Sequence, residues 1–156
     1  MTDYVDEMLT KIKVLRSKVE PSQQKLLHIN SMYNFILYID ELNSIDSKTK
    51  VKELIEEYFS EINSLRYFID KVKSRELGFS YLRKIGYYYR REAGFKYYTP
   101  ISSIIIIGGS VDLLLFFFGI LQILYYVPVV TTIMFMEWLY IRIFYVSKNK
   151  VYGLDV

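Results

Sequence analysis

Apolar residues recur at helical spacing through the first seventy-odd positions, and then from residue 101 to 146 they cease to alternate with polar ones. Val5, Met8, Ile12, Leu15 and Val19 follow steps of 3, 4, 3 and 4, which puts them on one face of a helix predicted over residues 2–19. Glu20-Pro21 ends it. Pro21, whose missing N–H costs nothing in a first turn, opens a second predicted helix over residues 21–42, with Leu26, Ile29, Tyr33 and Ile36 on its buried side. The stretch 43–47 reads as a turn, with Asp46 or Ser47 placed to cap the helix that follows. Val51, Ile55, Tyr58, Ile62, Leu65, Ile69 and Val72 then form a heptad seam. Such a seam buries itself against another helix, in the same chain or in a neighbouring subunit. Glu53, Glu56, Glu57 and Glu61 on the same helix read as its solvated face.

The apolar run changes the class of the molecule. A hydrocarbon core of about 30 Å takes about 20 helical residues to cross, so residues 101–146 are long enough for two crossings. Pro128 follows Tyr125-Tyr126-Val127. Proline breaks helices and tyrosines favour the headgroup level, which predicts a reversal near Val127-Pro128 between spans 101–126 and 129–146. The expected fold is all-α: a cytoplasmic helical bundle or coiled coil (1–72), a basic aromatic juxtamembrane neck (73–100), a two-helix transmembrane hairpin (101–146) and a cytoplasmic tail (147–156).

Composition and charge sharpen this division. Of 156 residues, 52% are hydrophobic and the formal net charge is +3, yet only Asp112, Glu137 and Arg142 are charged within the apolar run. Absence of cysteine excludes disulfide and thiolate chemistry, and His28 as the lone histidine leaves a His-based metal site without a second such ligand. No metal or other cofactor is expected. The acidic start of the chain has no apolar segment, so no cleavable signal peptide is expected. Lys73, Arg75, Arg83, Lys84, Arg90, Arg91 and Lys96 precede the first span, Lys148 and Lys150 follow the second, and the turn has no basic residue. Basic flanks stay inside, which predicts a multi-pass protein of the cell (inner) membrane with both termini cytoplasmic.

Residues 78–101 repeat in eights, each unit opening with Gly78, Gly86 or Gly94 and carrying Tyr81, Tyr89 or Tyr97 in fourth place. Eight residues overshoot two helical turns by about 80°, so the repeat winds around a helix. Its aromatic and basic chemistry marks Arg83, Lys84, Arg90, Arg91 and Lys96 as candidate binding residues. One reading is anchorage at anionic lipid headgroups; the other is a cationic site for a phosphate-bearing ligand or nucleic acid.

Polar residues inside the apolar run are candidates by default, because ionisable groups in a span are costly. Gly108, Asp112, Leu115, Gly119 and Gln122 share one helical face, which must meet protein or water. If the chain reverses near Val127, Asp112 and Arg142 each lie about 22 Å from the turn and are level, which predicts an ion pair within or between hairpins. Glu137, about 15 Å from the turn, has no level basic partner. It is expected to form an acidic ring in an oligomeric pore, to pack as a protonated acid, or to bond to Tyr125, Thr131 or Trp138. No phosphate loop, zinc motif or nucleophile elbow occurs, so an enzyme is not expected.

This layout resembles the two-transmembrane effectors of bacterial anti-phage defence systems. The resemblance implies that residues 1–98 sense a cytoplasmic nucleotide, oligonucleotide or protein partner, and that the hairpin acts on membrane lipid as a homo-oligomer. The function expected is an oligomeric channel or membrane-perturbing effector gated through its cytoplasmic domain. The alternative is a membrane-anchored interaction protein, such as an immunity protein or assembly factor, without channel activity.

Overall fold

The computed structural model describes residues 3–117 and 128–153. The expected turn at Tyr125-Tyr126-Val127, with Gly119 and Gln122, lies outside the described residues. What is described is predominantly helical, with two short strands. Helix α1, Asp3–Lys18, buries the predicted stripe of Val5, Met8, Ile12 and Leu15. Asp3 and Asp6 in its first turn and Arg16 and Lys18 in its last oppose the helix dipole with favourable charge.

The single helix expected over 21–42 is instead three pieces: α2 (Pro21–Leu26), α3 (Ile29–Leu37) and a 3-10 turn at Ile39–Glu41. His28 makes the break. Its backbone is left-handed, at φ 57°, and its buried ring sets Nε2 at 2.9 Å from the Ser74 carbonyl oxygen. A partner 46 positions away in sequence fixes a conformation that no local signal encodes. Helix α3 is therefore free to pass through the middle of the bundle, where Ile29, Met32, Phe35 and Ile36 are inaccessible to solvent.

Helix α4, Ile45–Ser64, carries the heptad seam as far as Ile62. Val51, Ile55, Tyr58 and Ile62 are wholly buried within the chain, and the Tyr58 hydroxyl donates to the Leu27 carbonyl. Burial pushes that phenol well above its usual range. The helix expected to reach Val72 stops at Ser64 because Arg66 and Tyr67 take left-handed φ values of 51° and 64°. Asp70 then starts a new helix by accepting from the Lys73 N–H at 2.8 Å. Ile69 still fills the core from this turn, but Val72 is 65% exposed. The cap of α4 is Ser44, not Asp46 or Ser47. Nor is Glu61 a free surface carboxylate, since it accepts from Tyr81 at 2.7 Å and pairs with Lys73 at 2.8 Å. Burial first, and then this bond, pushes the Tyr81 phenol up to about 12.

Helices α5 (Lys71–Leu77) and α6 (Arg83–Glu92) are joined by a π-helical segment, Gly78–Leu82, whose flanking residues keep helical angles. In the stretch expected as a juxtamembrane neck, Leu77, Leu82, Ile85 and Tyr89 are buried in the core that they share with α1 to α4. Glu92 ties α6 to the start of α4, accepting from Asn43 N at 3.0 Å, Ser44 N at 3.2 Å and Ser47 Oγ at 2.6 Å. Gly94, at φ 69°, supplies the left-handed residue just beyond the helix end.

Strand β1, Lys96–Tyr97, leads into helix α7 (Ile101–Phe117); helix α8 (Val129–Ile141) and a π segment (Arg142–Val146) lead into strand β2, Val151–Tyr152. The strands pair in parallel, Lys96 with Val151 and Tyr97 with Tyr152. Val151, Tyr152 and Gly153, within the stretch expected as a cytoplasmic tail, are buried. The Ser31 hydroxyl donates to the Gly153 carbonyl at 3.0 Å and Asn34 Nδ2 to that of Val151 at 2.8 Å. The Tyr152 ring packs 5.3 Å from that of Phe35. A Cβ on Gly86 would lie 2.4 Å from the Tyr152 ring, so only glycine leaves room for it.

Candidate functional site

Helices α7 and α8 pack on each other as an antiparallel pair, and the contact is set by one glycine and one carboxylate. A Cβ on Gly108 would stand 2.9 Å from the Thr131 Cα, so the missing side chain lets the backbones meet. One turn on, Asp112 Oδ1 accepts from Val130 N at 2.8 Å, while Oδ2 accepts from Thr131 N at 2.9 Å and Thr131 Oγ1 at 2.7 Å. The first N–H groups of a helix have no partner inside it. Pro128, which precedes α8, offers no side-chain acceptor, and Asp112 supplies one from the opposite helix.

Within one chain this offset keeps Asp112 and Arg142 apart. Asp112 is level with Val130 and Thr131, not with Arg142, because α7 continues past the start of α8 to Phe117. Arg142 instead lies with its guanidinium 5.0 Å from the centre of the Trp138 ring. Tyr98 comes within 6.5 Å of that ring, which brings the start of α7 against the later part of α8. Gly108 and Asp112 do lie on the face toward α8, as their spacing predicts. Glu137 is exposed and has no hydrogen-bond or ion-pair partner among the described residues. Around it the pair is apolar on its outer surface: Ile106 is 67% exposed, Phe117 75%, Ile133 63% and Met136 60%. Val129–Val146 is the one stretch, among the described residues, long and apolar enough by itself to cross a membrane; Ile101–Phe117 is apolar but shorter.

The second feature is a cavity of about 590 Å³ between the α5–α6 helix and the paired strands. Arg75, Arg83 and Arg90 line it together with Tyr87, Tyr97 and Tyr152. The π segment aligns the arginines. Seven residues fall within about 20° of two full helical turns, whereas eight miss by about 80°. A π turn absorbs one extra residue, so the eight positions from Arg75 to Arg83 act as seven and match the seven from Arg83 to Arg90.

Of the five basic residues marked in the sequence, Arg83 and Arg90 reach this cavity. Arg83 also borders a shallower groove, where Lys84 lies beside Glu53 and Glu57. Arg91 and Lys96 are exposed and line neither. Sequence reasoning missed Arg75 and Tyr152: the first is brought into line by a π turn, and the second arrives from beyond the hairpin. Among the described residues no group of acidic or histidine side chains is arranged to hold a metal. Comparison with protein-family models, curated proteins and solved structures finds no match to this chain.

Proposed function

We propose that the chain is an integral membrane protein in which α7 and α8 form a two-span hairpin, and that copies of it assemble into a channel or membrane-perturbing effector controlled by the helical bundle. The observation that carries this reading is Glu137. It follows Val129 by eight residues, about 12 Å along the helix, which places it near the middle of the 18-residue candidate span. An unpaired carboxylate at such depth costs about 2.5 kcal/mol or more, so it must meet water or another subunit. Facing away from α7, it is available to neighbouring hairpins. An effector of the anti-phage kind, releasing the membrane barrier when the bundle meets its trigger, is the setting we propose.

A second reading has its own support. Ile133 and Ile141, one turn to either side of Glu137, are apolar, as is Phe144 a turn further on. A face with one acid among apolar residues also suits a protonated glutamic acid buried in a contact between helices, as in a membrane-anchored interaction protein. Single-channel recording on the reconstituted full chain separates the two. Glu137→Gln should leave the oligomer intact and lower cation conductance at least several-fold. Unchanged conductance removes Glu137 from the ion path, and no conductance from the unaltered protein under any trigger transfers the reading to the interaction protein.

A further inference from the structure

Three arginines line the cavity beside the strand pair, and among the described residues no carboxylate lines it. Arg75, Arg83 and Arg90 have no acidic partner among the described residues. Lys73 and Lys150, by contrast, are paired with carboxylates at the bundle surface. The rest of the lining is aromatic: the guanidinium of Arg83 lies 5.9 Å from the centre of the Phe79 ring, and Tyr87, Tyr97 and Tyr152 complete the wall. Planar guanidinium forks suit phosphate oxygens, and tyrosine faces suit a ring or an alkyl chain. The wall is also composite, since Tyr97 and Tyr152 belong to the paired strands, which adjoin the start of α7 and follow the end of α8.

We propose that this cavity binds the phosphate of a phosphorylated ligand whose remaining part is apolar or aromatic, with Arg75, Arg83 and Arg90 as the phosphate-binding residues. The same chemistry is offered by a phospholipid headgroup and by a soluble phosphate ester. The site deepens the membrane reading above when the ligand is a lipid, because the strands that carry Tyr97 and Tyr152 adjoin the two ends of the hairpin. It stands without that reading when the ligand is soluble. Lys84, Arg91 and Lys96, which a purely electrostatic attraction would use equally, have no part in it.

The test uses the full chain purified in detergent and in nanodiscs of phosphatidylglycerol diluted in phosphatidylcholine. Native mass spectrometry reads retained phosphatidylglycerol, and calorimetry reads binding of phenyl phosphate to the detergent-purified protein. The combined variant Arg75→Gln, Arg83→Gln, Arg90→Gln should weaken whichever ligand binds at least tenfold. The matched variant Lys84→Gln, Arg91→Gln should stay within about twofold at physiological salt, where exposed charges are screened over about 8 Å. Retention of lipid without binding of phenyl phosphate assigns the site to a headgroup; binding of phenyl phosphate assigns it to a soluble ester. Equal losses in the two variants, or no binding of either probe by the unaltered protein, overturns the proposal. Neither result bears on conductance through Glu137, so the two readings fail separately.

Discussion

Asp112 shows how the role of a residue depends on the offset between two helices. By sequence alone, its distance from the reversal at Val127 matched that of Arg142 and suggested a pair; in the fold it closes the N-terminus of α8 by accepting three hydrogen bonds. Asp112→Ala would leave those donors unsatisfied in an apolar setting, at a cost of about 3 kcal/mol to the hairpin. Arg142→Gln should cost far less, and the two changes together should be additive within about 0.5 kcal/mol, as for sites that do not touch. Unfolding of the hairpin in denaturing detergent measures this. A double variant more stable than Asp112→Ala alone would restore the ion pair. His28 teaches the same lesson in the helical bundle, since its left-handed backbone is held by Ser74 and could not be read from Leu27 or Ile29.

At the scale of elements, the helical stripes were legible wherever a helix buries one face against the bundle. Val5 through Leu15 and Val51 through Ile62 are core as their spacing requires. Illegible were the points where a partner distant in sequence decides an end, as Glu92 does at the start of α4 and Ser74 at the break between α2 and α3. The Glu92 contact makes a pH-dependent prediction. The Ser47 hydroxyl, then the Ser44 and Asn43 N–H groups, hold its carboxyl below the ordinary value of 4.5. A folded pKa below the unfolded one stabilises fully above the unfolded value, and that contribution is lost as pH falls through the folded value. Glu92→Gln should therefore lower the melting temperature at about pH 7, and the difference should shrink as pH falls below about 4. A difference that is constant with pH would mean that geometry alone matters there.

For the whole molecule, the division into a part of alternating polar and apolar residues and a nearly unbroken apolar part was plain in the sequence, because only the first has the pattern of a helix with one face in water. The candidate cavity was only half visible. Arg83 and Arg90 stand in an obviously basic segment, whereas Tyr152 belongs to a strand of two residues, too short to leave a periodic trace. Pairing of β1 with β2 holds the entrance of α7 beside the exit of α8. If the hairpin spans the membrane, both flanks then lie on the side of the bundle. Cysteines placed singly at Ser17, Ser147 and Val127 should react with an impermeant reagent in intact cells at Val127 alone. Labelling at Ser17 or Ser147 instead would invert the topology and place the arginine cavity outside the cell.

The parallel strands have a further consequence, for the order in which the molecule is made. A parallel pair needs a crossover, and here the crossover is the hairpin itself. The bonds that complete the core join Ser31 to Gly153, 122 positions apart. During synthesis α1 to α6 can assemble early, but the seat beside Phe35 and Gly86 stays vacant until α7 and α8 have emerged and come together. Closure of the bundle thereby reports that the hairpin is finished: a chain whose apolar helices have gone astray carries an open aromatic groove, which is the kind of surface that quality-control proteases and chaperones engage.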